Sequence, residues 1–102
     1  HRLLTGSDAV VALPGGCGTL EELLEAMTLK RLALYAKPIV LLDVNGFYAP
    51  LERFLETTIE QRFMNPQHRA LWTSVPRVED VLPTIRATPD WDANARDYAA
   101  VR

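Results

Sequence analysis

The stretch VVALPGGCGTLEELLEAM, residues 10–27, decides the fold of this 102-residue chain. It opens with a short apolar run that ends at a proline, which predicts a strand over residues 9–13 that is buried on both faces. Three glycines follow (Gly15, Gly16 and Gly18), and the leucines after them recur at threes and fours, as on an amphipathic helix. A strand, a glycine-rich loop and a helix in this order are typical of an α/β protein.

The remainder of the chain continues to alternate strand and helix patterns. Apolar periodicity and the breaks at proline and Asn-Gly predict helices over residues 19–35, 48–63 and 78–87 and strands over residues 39–42 and 71–75. Strands that alternate with helices form a parallel sheet with right-handed crossovers, so the fold class is α/β. Doubly wound nucleotide-binding domains have about six strands. Three strands are half of that number, so we expect a parallel sheet with flanking helices that forms only the C-terminal half of such a domain.

Further details of this organisation are also predicted. In the second helix, every fourth position is apolar, and we expect a buried stripe of Leu51, Leu55, Ile59, Phe63 and the adjacent Phe54. Pro83 costs the last helix a backbone hydrogen bond, so we expect that helix to be irregular. We assign residues 1–87 to the C-terminal part of a Rossmann-like nucleotide-binding domain and residues 88–102 to a polar C-terminal tail that becomes ordered by docking. Because the chain opens without Met, we expect a fragment.

Composition restricts the classes of function. With 48% apolar and 24% charged residues, the chain is typical of globular proteins. Its net charge of −2 leaves no basic stripe for a nucleic acid, and no apolar run approaches the roughly 20 residues of a membrane span. Cys17 is the only cysteine, which fits a reducing cytoplasm. His1 and His68 lie far apart, so we expect no protein-built metal site.

The glycine-rich loop lies where α/β folds place their ligands, after the carboxyl end of a strand. Its glycines can take positive φ, and they leave no Cβ in the way of a ligand. A helix that starts at Thr19 points unpaired N–H groups at the loop, and such a site attracts a phosphate. Neither the lysine of a Walker A loop nor the GxGxxG of a dinucleotide loop is present. A tight turn without a ligand is the alternative.

Carboxylates follow the glycines directly. Glu22 lies three residues after Thr19, which is the spacing of a capping box in which the glutamate reaches back to the helix start. The same position would also hold the carboxylate near a ligand. Glu25 shares a helix face with Glu22, whereas Glu21 points elsewhere. Glu25 is therefore a candidate substrate-binding residue, and a solvated surface position is the alternative.

Other polar residues border the same edge of the sheet. Cys17 lies near a helix start, where thiolates are stabilised, but no histidine base is near it in sequence. We interpret it as a variable loop residue. Asp43 and Asn45 follow the second strand on the ligand side, where they either line the pocket or serve the turn.

The string PGGCGTLEE, residues 14–22, matches the motif PGGxGTxxE throughout. Together with SDAVVALPGG, KPIVLLDVNGFYAPL and SVPRVEDVL in the same order, it resembles the LOG family of cytokinin riboside 5′-monophosphate phosphoribohydrolases over roughly residues 7–86. Members are often labelled lysine decarboxylases, but the sequence around Lys30 and Lys37 shows no sign of a pyridoxal site. The resemblance implies a Rossmann-like homodimer or larger assembly.

The resemblance also implies a reaction. The family hydrolyses the N-glycosidic bond of AMP or of an N6-modified AMP, giving free base and ribose 5-phosphate, without a metal or redox cofactor. Carried over by position, Glu22 is the catalytic carboxylate. The residues that would hold the 5′-phosphate are Gly15, Gly16, Gly18 and Thr19.

The resemblance leaves two other functions open. The family pairs this glutamate with an upstream arginine, and Arg2 lies close to that place without matching its register, so the role stays unassigned. Similar folds carry nucleotides or molybdenum cofactor without cleaving them, which makes a non-catalytic binding protein the main alternative. A structural role in an assembly is the third hypothesis, with the helices over residues 20–35 and 48–63 as the interface.

Overall fold

The structure, a computed structural model, describes residues 7–98, apart from the side chain of Arg96. The strands are β1 (Val10–Ala12), β2 (Ile39–Leu42) and β3 (Thr73–Val75), and the helices are α1 (Cys17–Arg31), α2 (Ala49–Glu60) and α3 (Val81–Ala87). Short 3-10 turns cover Val44–Gly46, Pro66–Leu71, Val78–Asp80 and Ala95–Tyr98. The sheet has the order β1-β2-β3, and both pairings are parallel. The prediction of an α/β fold with a parallel sheet is confirmed.

The central strand β2 holds the layers together. All four of its residues are buried, as the sequence predicts. Ile39 and Leu41 face a core formed with α1 and α2, whereas Val40 and Leu42 face a second core formed with α3. Burial on both faces explains why this strand is a continuous apolar run rather than an alternating one.

The first strand differs from the prediction of burial on both faces. Ala12 is buried, but Val11 is 39% exposed and Leu13, just after the strand, is 57% exposed. The reason is that Val11 lies beside Val40 on the sheet face that packs against α3, and in the described part of the chain that helix covers β2 and β3 but not β1.

Helix boundaries also differ from the predictions. Helix α1 begins two residues before Thr19 and ends at Arg31, four residues before the predicted end, because Ala33 adopts a left-handed φ of 63°. Helix α2 ends at Glu60, and Arg62 has a φ of 71°. Phe63 therefore lies beyond the helix and is 73% exposed.

The predicted stripe on α2 is only partly correct. Leu55 and Ile59 are buried and Leu51 packs against the core, but Phe54 is 64% exposed. Phe54 follows Leu51 by three residues, yet it lies at the solvent side of the stripe.

The last strand and helix are shorter than predicted. Strand β3 begins at Thr73 instead of residue 71, because the preceding residues form the 3-10 turn Pro66–Leu71. The predicted helix over residues 78–87 is divided into the 3-10 turn Val78–Asp80 and α3. Pro83 is the third residue of α3, where a helix leaves its N–H groups unpaired, so its missing donor does not break the helix.

Residues 88–98 pack against the rest of the protein. The backbone N–H of Trp91 donates to the backbone carbonyl of Ala36 at 2.8 Å, and Ala95 is fully buried. The rings of His68 and Tyr98 lie 5.5 Å apart. Through these contacts residues 88–98 form part of the packed structure. Across the described range, none of the helices has the length and apolar character needed to cross a bilayer.

His68 is a buried titratable group that closes the turn before β3. Its Nδ1 accepts a hydrogen bond from the Asn65 N–H at 3.0 Å, while the Asn65 side chain accepts from the Gln67 N–H at 2.9 Å. Burial, with a smaller contribution from the nearby charge of Arg31, lowers the pKa of His68 below its ordinary 6.5. The folded protein therefore holds this imidazole neutral.

This burial predicts acid lability. Below about pH 6.5 the unfolded chain binds a proton at this position that the folded protein does not. As the pH is lowered, the free energy of unfolding therefore decreases, by at most ~1.4 kcal/mol per pH unit. Above about pH 7.5 the contribution is complete. We expect His68→Gln to make the dependence shallower between pH 7.5 and 5, measured by urea unfolding, and His1→Gln separates the effect of the other histidine. An unchanged slope in His68→Gln contradicts this assignment.

Candidate functional site

The loop between β1 and α1 is shaped by a contact between Gly15 and Thr19. A Cβ at Gly15 would lie 2.3 Å from Thr19 Oγ1, so the threonine side chain occupies the space that any other residue would need. A Cβ at Gly16 or Gly18 would meet nothing within 4 Å. The first glycine serves internal packing, and the other two leave open space above the loop.

The expectation of positive φ at these glycines is wrong. Among the described glycines only Gly46 has a positive φ, of 73°, next to Asn45 in the turn after β2. The loop therefore needs glycine because of the missing Cβ and not because of a left-handed backbone.

The start of α1 carries no side-chain cap. Gly16 is the N-cap residue, and its carbonyl accepts from the Leu20 N–H at 3.0 Å. The predicted capping box is wrong, because Thr19 is already the third residue of the helix and cannot cap it. The amides of Cys17, Gly18 and Thr19 belong to the first turn, which has no intrahelical acceptors for them. No side chain or loop carbonyl between residues 7 and 98 accepts from them either.

The electrostatics of this helix start favour an anion. No acidic residue lies in the first turn of α1, so the positive end of the helix dipole is not neutralised by the chain. Unpaired amides and an unneutralised dipole together are the ordinary features of a phosphate site at a helix N-terminus.

A cleft of about 230 Å³ brings two of the predicted residues together. Thr19 and Glu22 line it together with Leu23 and residues 10–13. The two polar residues are one helical turn apart, which is ~5 Å along the axis. A ligand held at the helix start would thus extend past the Glu22 carboxylate along the exposed flank of β1.

The other predicted residues lie outside this cleft. Glu21 and Glu25 are both exposed and are not among the residues that line it. Cys17 is exposed as the first residue of α1. Arg2 lies outside the described residues. Within the described range, no three His, Cys, Asp or Glu side chains are grouped so that they could hold a metal.

Tyr48 has a role at this site that the sequence pattern does not indicate. Its hydroxyl donates to the Leu13 carbonyl at 2.6 Å, and its N–H donates to Asp43 Oδ1, also at 2.6 Å. The side chain is buried, and burial, followed by the charge of Asp43, raises the pKa of Tyr48. Asp43 thus serves the turn, and Tyr48 fixes the end of β1 directly before the glycine-rich loop. The sequence feature that could have indicated this role is a tyrosine six residues after β2, since the carboxyl end of β2 lies beside that of β1.

A parallel sheet with helices on both faces and a glycine-rich loop after its first strand define the Rossmann-like α/β class. Residues 1–85 match the family model described as "Possible lysine decarboxylase", and the chain belongs to this family.

Curated relatives in this family carry another description. The chain is 43% identical over 79 residues to the probable cytokinin riboside 5′-monophosphate phosphoribohydrolase LOGL3 of Oryza sativa subsp. japonica, which is 78% of this chain and 37% of the relative. The identity and both coverages are the same for the cytokinin riboside 5′-monophosphate phosphoribohydrolase LOG3 of Arabidopsis thaliana. For LOG7 of the same plant the identity is 38% over 87 residues, or 84% of this chain and 40% of that protein. The chain therefore spans less than half of the length of these relatives.

The loop geometry predicts different outcomes at its glycines. Gly15→Ala should lower the free energy of unfolding by about 1–3 kcal/mol, since the new Cβ displaces Thr19 from its packed position. Gly18→Ala should be neutral or stabilise the protein by up to ~1 kcal/mol, because it lies in a helix with open space around it. Urea unfolding of both variants checks this. If Gly15→Ala and Gly18→Ala lower the free energy of unfolding equally, the Gly15–Thr19 contact does not explain the requirement for glycine at position 15.

Proposed function

We propose that this chain forms the phosphate-binding and catalytic half of a nucleoside 5′-monophosphate phosphoribohydrolase. The observation that supports this most directly is the shared cleft of Thr19 and Glu22, at the unpaired amides that begin α1. The names of the curated relatives supply the reaction class, and the family membership of the chain connects it to them.

The 5′-phosphate would be held at the helix start. The amides of residues 17–19 donate to its oxygens, and the Thr19 hydroxyl adds a side-chain donor. Gly15 admits Thr19 to its place, while Gly16 and Gly18 keep the approach open. A dianion gains from both the free donors and the helix dipole, so this end of the ligand provides most of the affinity.

Glu22 would act on the ribose. Water adds to the anomeric carbon as the N-glycosidic bond breaks, the base leaves with a proton, and ribose 5-phosphate is the second product. The transition state resembles an oxocarbenium ion, and a carboxylate beside it stabilises the positive charge and orients the water. The substrate we propose is AMP or an N6-substituted AMP, which would place the reaction in cytokinin biosynthesis or in purine recycling.

The proposal extends to assembly and compartment. Leu24, Leu34, Phe54 and Phe63 are apolar and at least 40% exposed, which supports a homodimer or larger homo-oligomer. A single exposed cysteine, Cys17, supports a reducing compartment such as the cytoplasm. The remainder of the nucleotide site would come from a part of the protein corresponding to the rest of the relatives' length.

Removal of the Glu22 carboxylate tests the catalytic role. In the chain, or in a longer protein that contains it, Glu22→Gln should reduce release of free base from AMP or N6-isopentenyl-AMP at least ~100-fold. Nucleotide affinity should change little, because the phosphate contacts remain. Base release is measured by chromatography and affinity by calorimetry.

Glu21→Gln is the matched control, since Glu21 is the adjacent carboxylate outside the cleft, and it should keep the rate. Undiminished base release in Glu22→Gln would refute the catalytic role. Tight nucleotide binding without base release by the unsubstituted protein would favour the carrier alternative.

Crowding of the loop tests the phosphate position. Gly16→Val should weaken AMP binding at least ~10-fold, because its side chain enters the open space above the helix start, while the free energy of unfolding falls by about 1–2 kcal/mol, since valine is a poor N-cap residue. Cys17→Ser is the control for the same loop and should bind like the unsubstituted protein. If Gly16→Val keeps full affinity, the phosphate lies elsewhere.

A further inference from the structure

The last turn of α1 contains a buried lysine that the proposed reaction does not use. Lys30 is only 1% exposed, and its Nζ lies 5.6 Å from the centroid of the Trp91 ring. Burial lowers the pKa of Lys30 to about 8, and the nearby charge of Asp90 only partly opposes this. Within residues 7–98, no atom accepts a hydrogen bond from its Nζ. An ammonium group in this state has exchanged water for an aromatic face and lacks a full counter-charge.

A cavity of about 450 Å³ adjoins this ammonium group. Lys30, Trp72 and Trp91 line it, together with Thr84 and Thr88 at the end of α3. The volume lies within the ~300–1,000 Å³ that small-molecule sites occupy. The walls combine two indole rings with a few polar groups, which is the composition of a site for a small organic ligand rather than for a hydrated ion.

A second donor in the same wall also lacks an acceptor. The Trp91 indole N–H is buried and has no hydrogen-bond partner in the described structure. By contrast, the Trp72 indole N–H donates to Glu52 at 3.1 Å. Buried polar groups in native proteins are normally paired, so the unpaired Trp91 indole N–H beside the Lys30 ammonium group indicates a missing acceptor at this cavity.

The anionic group nearest to the cavity is already engaged. Asp90 is exposed at the rim, and its carboxylate pairs with Lys37 at 3.3 Å. It therefore offsets only part of the charge of Lys30. Lys30, Lys37 and Asp90 together carry a net charge of +1, which favours a monoanion over a cation at this cavity.

We propose that this cavity binds a flat aromatic monocarboxylate. The carboxylate accepts hydrogen bonds from Lys30 Nζ and the Trp91 indole N–H after a small adjustment of the ring. The aromatic body lies against the indoles of Trp72 and Trp91, and the threonine hydroxyls border its edge. A phosphate dianion fits less well, because Lys30 is the only cation among the described residues that line this cavity.

This site is separate from the proposed nucleotide site. Lys30 follows Glu22 by eight residues, which is ~12 Å along α1, and the cavity lies towards the amino ends of the strands. The proposal therefore does not depend on the phosphoribohydrolase reaction, and failure of either one leaves the other intact.

The experiment is a titration of the ¹⁵N-labelled chain with benzoate, followed by the indole N–H resonances. The chain has two tryptophans, and Trp91→Phe identifies which resonance belongs to Trp91. We expect benzoate to shift the Trp91 resonance in a saturable manner, and we expect benzamide and acetate to bind at least ~10-fold more weakly. Lys30→Met should also weaken the binding of benzoate at least ~10-fold, because a hydrogen bond to a charged group is lost.

Arg86→Met is the matched control, because it removes one positive charge from α3 outside the cavity, and it should bind benzoate normally. Retained dispersion of the amide spectrum shows that the variants are folded. Equal binding of benzoate and benzamide by the unsubstituted chain overturns the anion requirement, and equal binding of acetate overturns the aromatic requirement. Full affinity in Lys30→Met overturns the proposal whatever the other results.

Discussion

The burial of β2 on both faces, with a parallel strand on each side, is the constraint on which the rest of the structure depends. Because both neighbours run in the same direction, the carboxyl ends of all three strands meet at one edge, and each crossover helix must return along a face of the sheet. Helix α1 therefore begins at the carboxyl edge and ends at the amino edge. Its first turn and its last turn therefore lie at opposite ends of the sheet, and the amides of the first turn have no acceptor within residues 7–98.

The sequence predicted the parts of this arrangement that depend on apolar pattern. The bounds of β2 were predicted as observed, since four consecutive β-prone residues between Pro38 and Asp43 permit little else. The order of elements and the parallel sheet followed from alternation alone. Thr19 and Glu22 also line one cleft, as their spacing of three on a helix implies, and their phosphate-binding and catalytic roles stay predictions.

The failures share a cause, which is that they depend on contacts distant in sequence or on single backbone torsions. Ala33 and Arg62 end α1 and α2 in left-handed conformations that neither residue type indicates. Gly15 was grouped with its neighbours as a ligand-approach residue, but its contact is with the threonine four positions later. The role of Tyr48 required knowledge of which strand lies beside β2, since its partner Leu13 is 35 residues away. Lys30 would pass for a surface residue by type, but it is buried beside Trp91, which is 61 residues away in sequence.

The charge distribution along α1 connects these observations. Its last turn contains Lys30 and Arg31, whose positive charges complement the negative end of the helix dipole and offset part of the cost of burying the ammonium group. Its first turn contains no carboxylate, although acidic residues at that position are the ordinary way to stabilise a helix start. The chain places Glu22 one turn later, where it faces the cleft without neutralising the amides of residues 17–19. A helix selected for stability alone would have its acidic residue earlier and an apolar residue in place of Lys30. Both departures leave room for a negatively charged group from outside the chain.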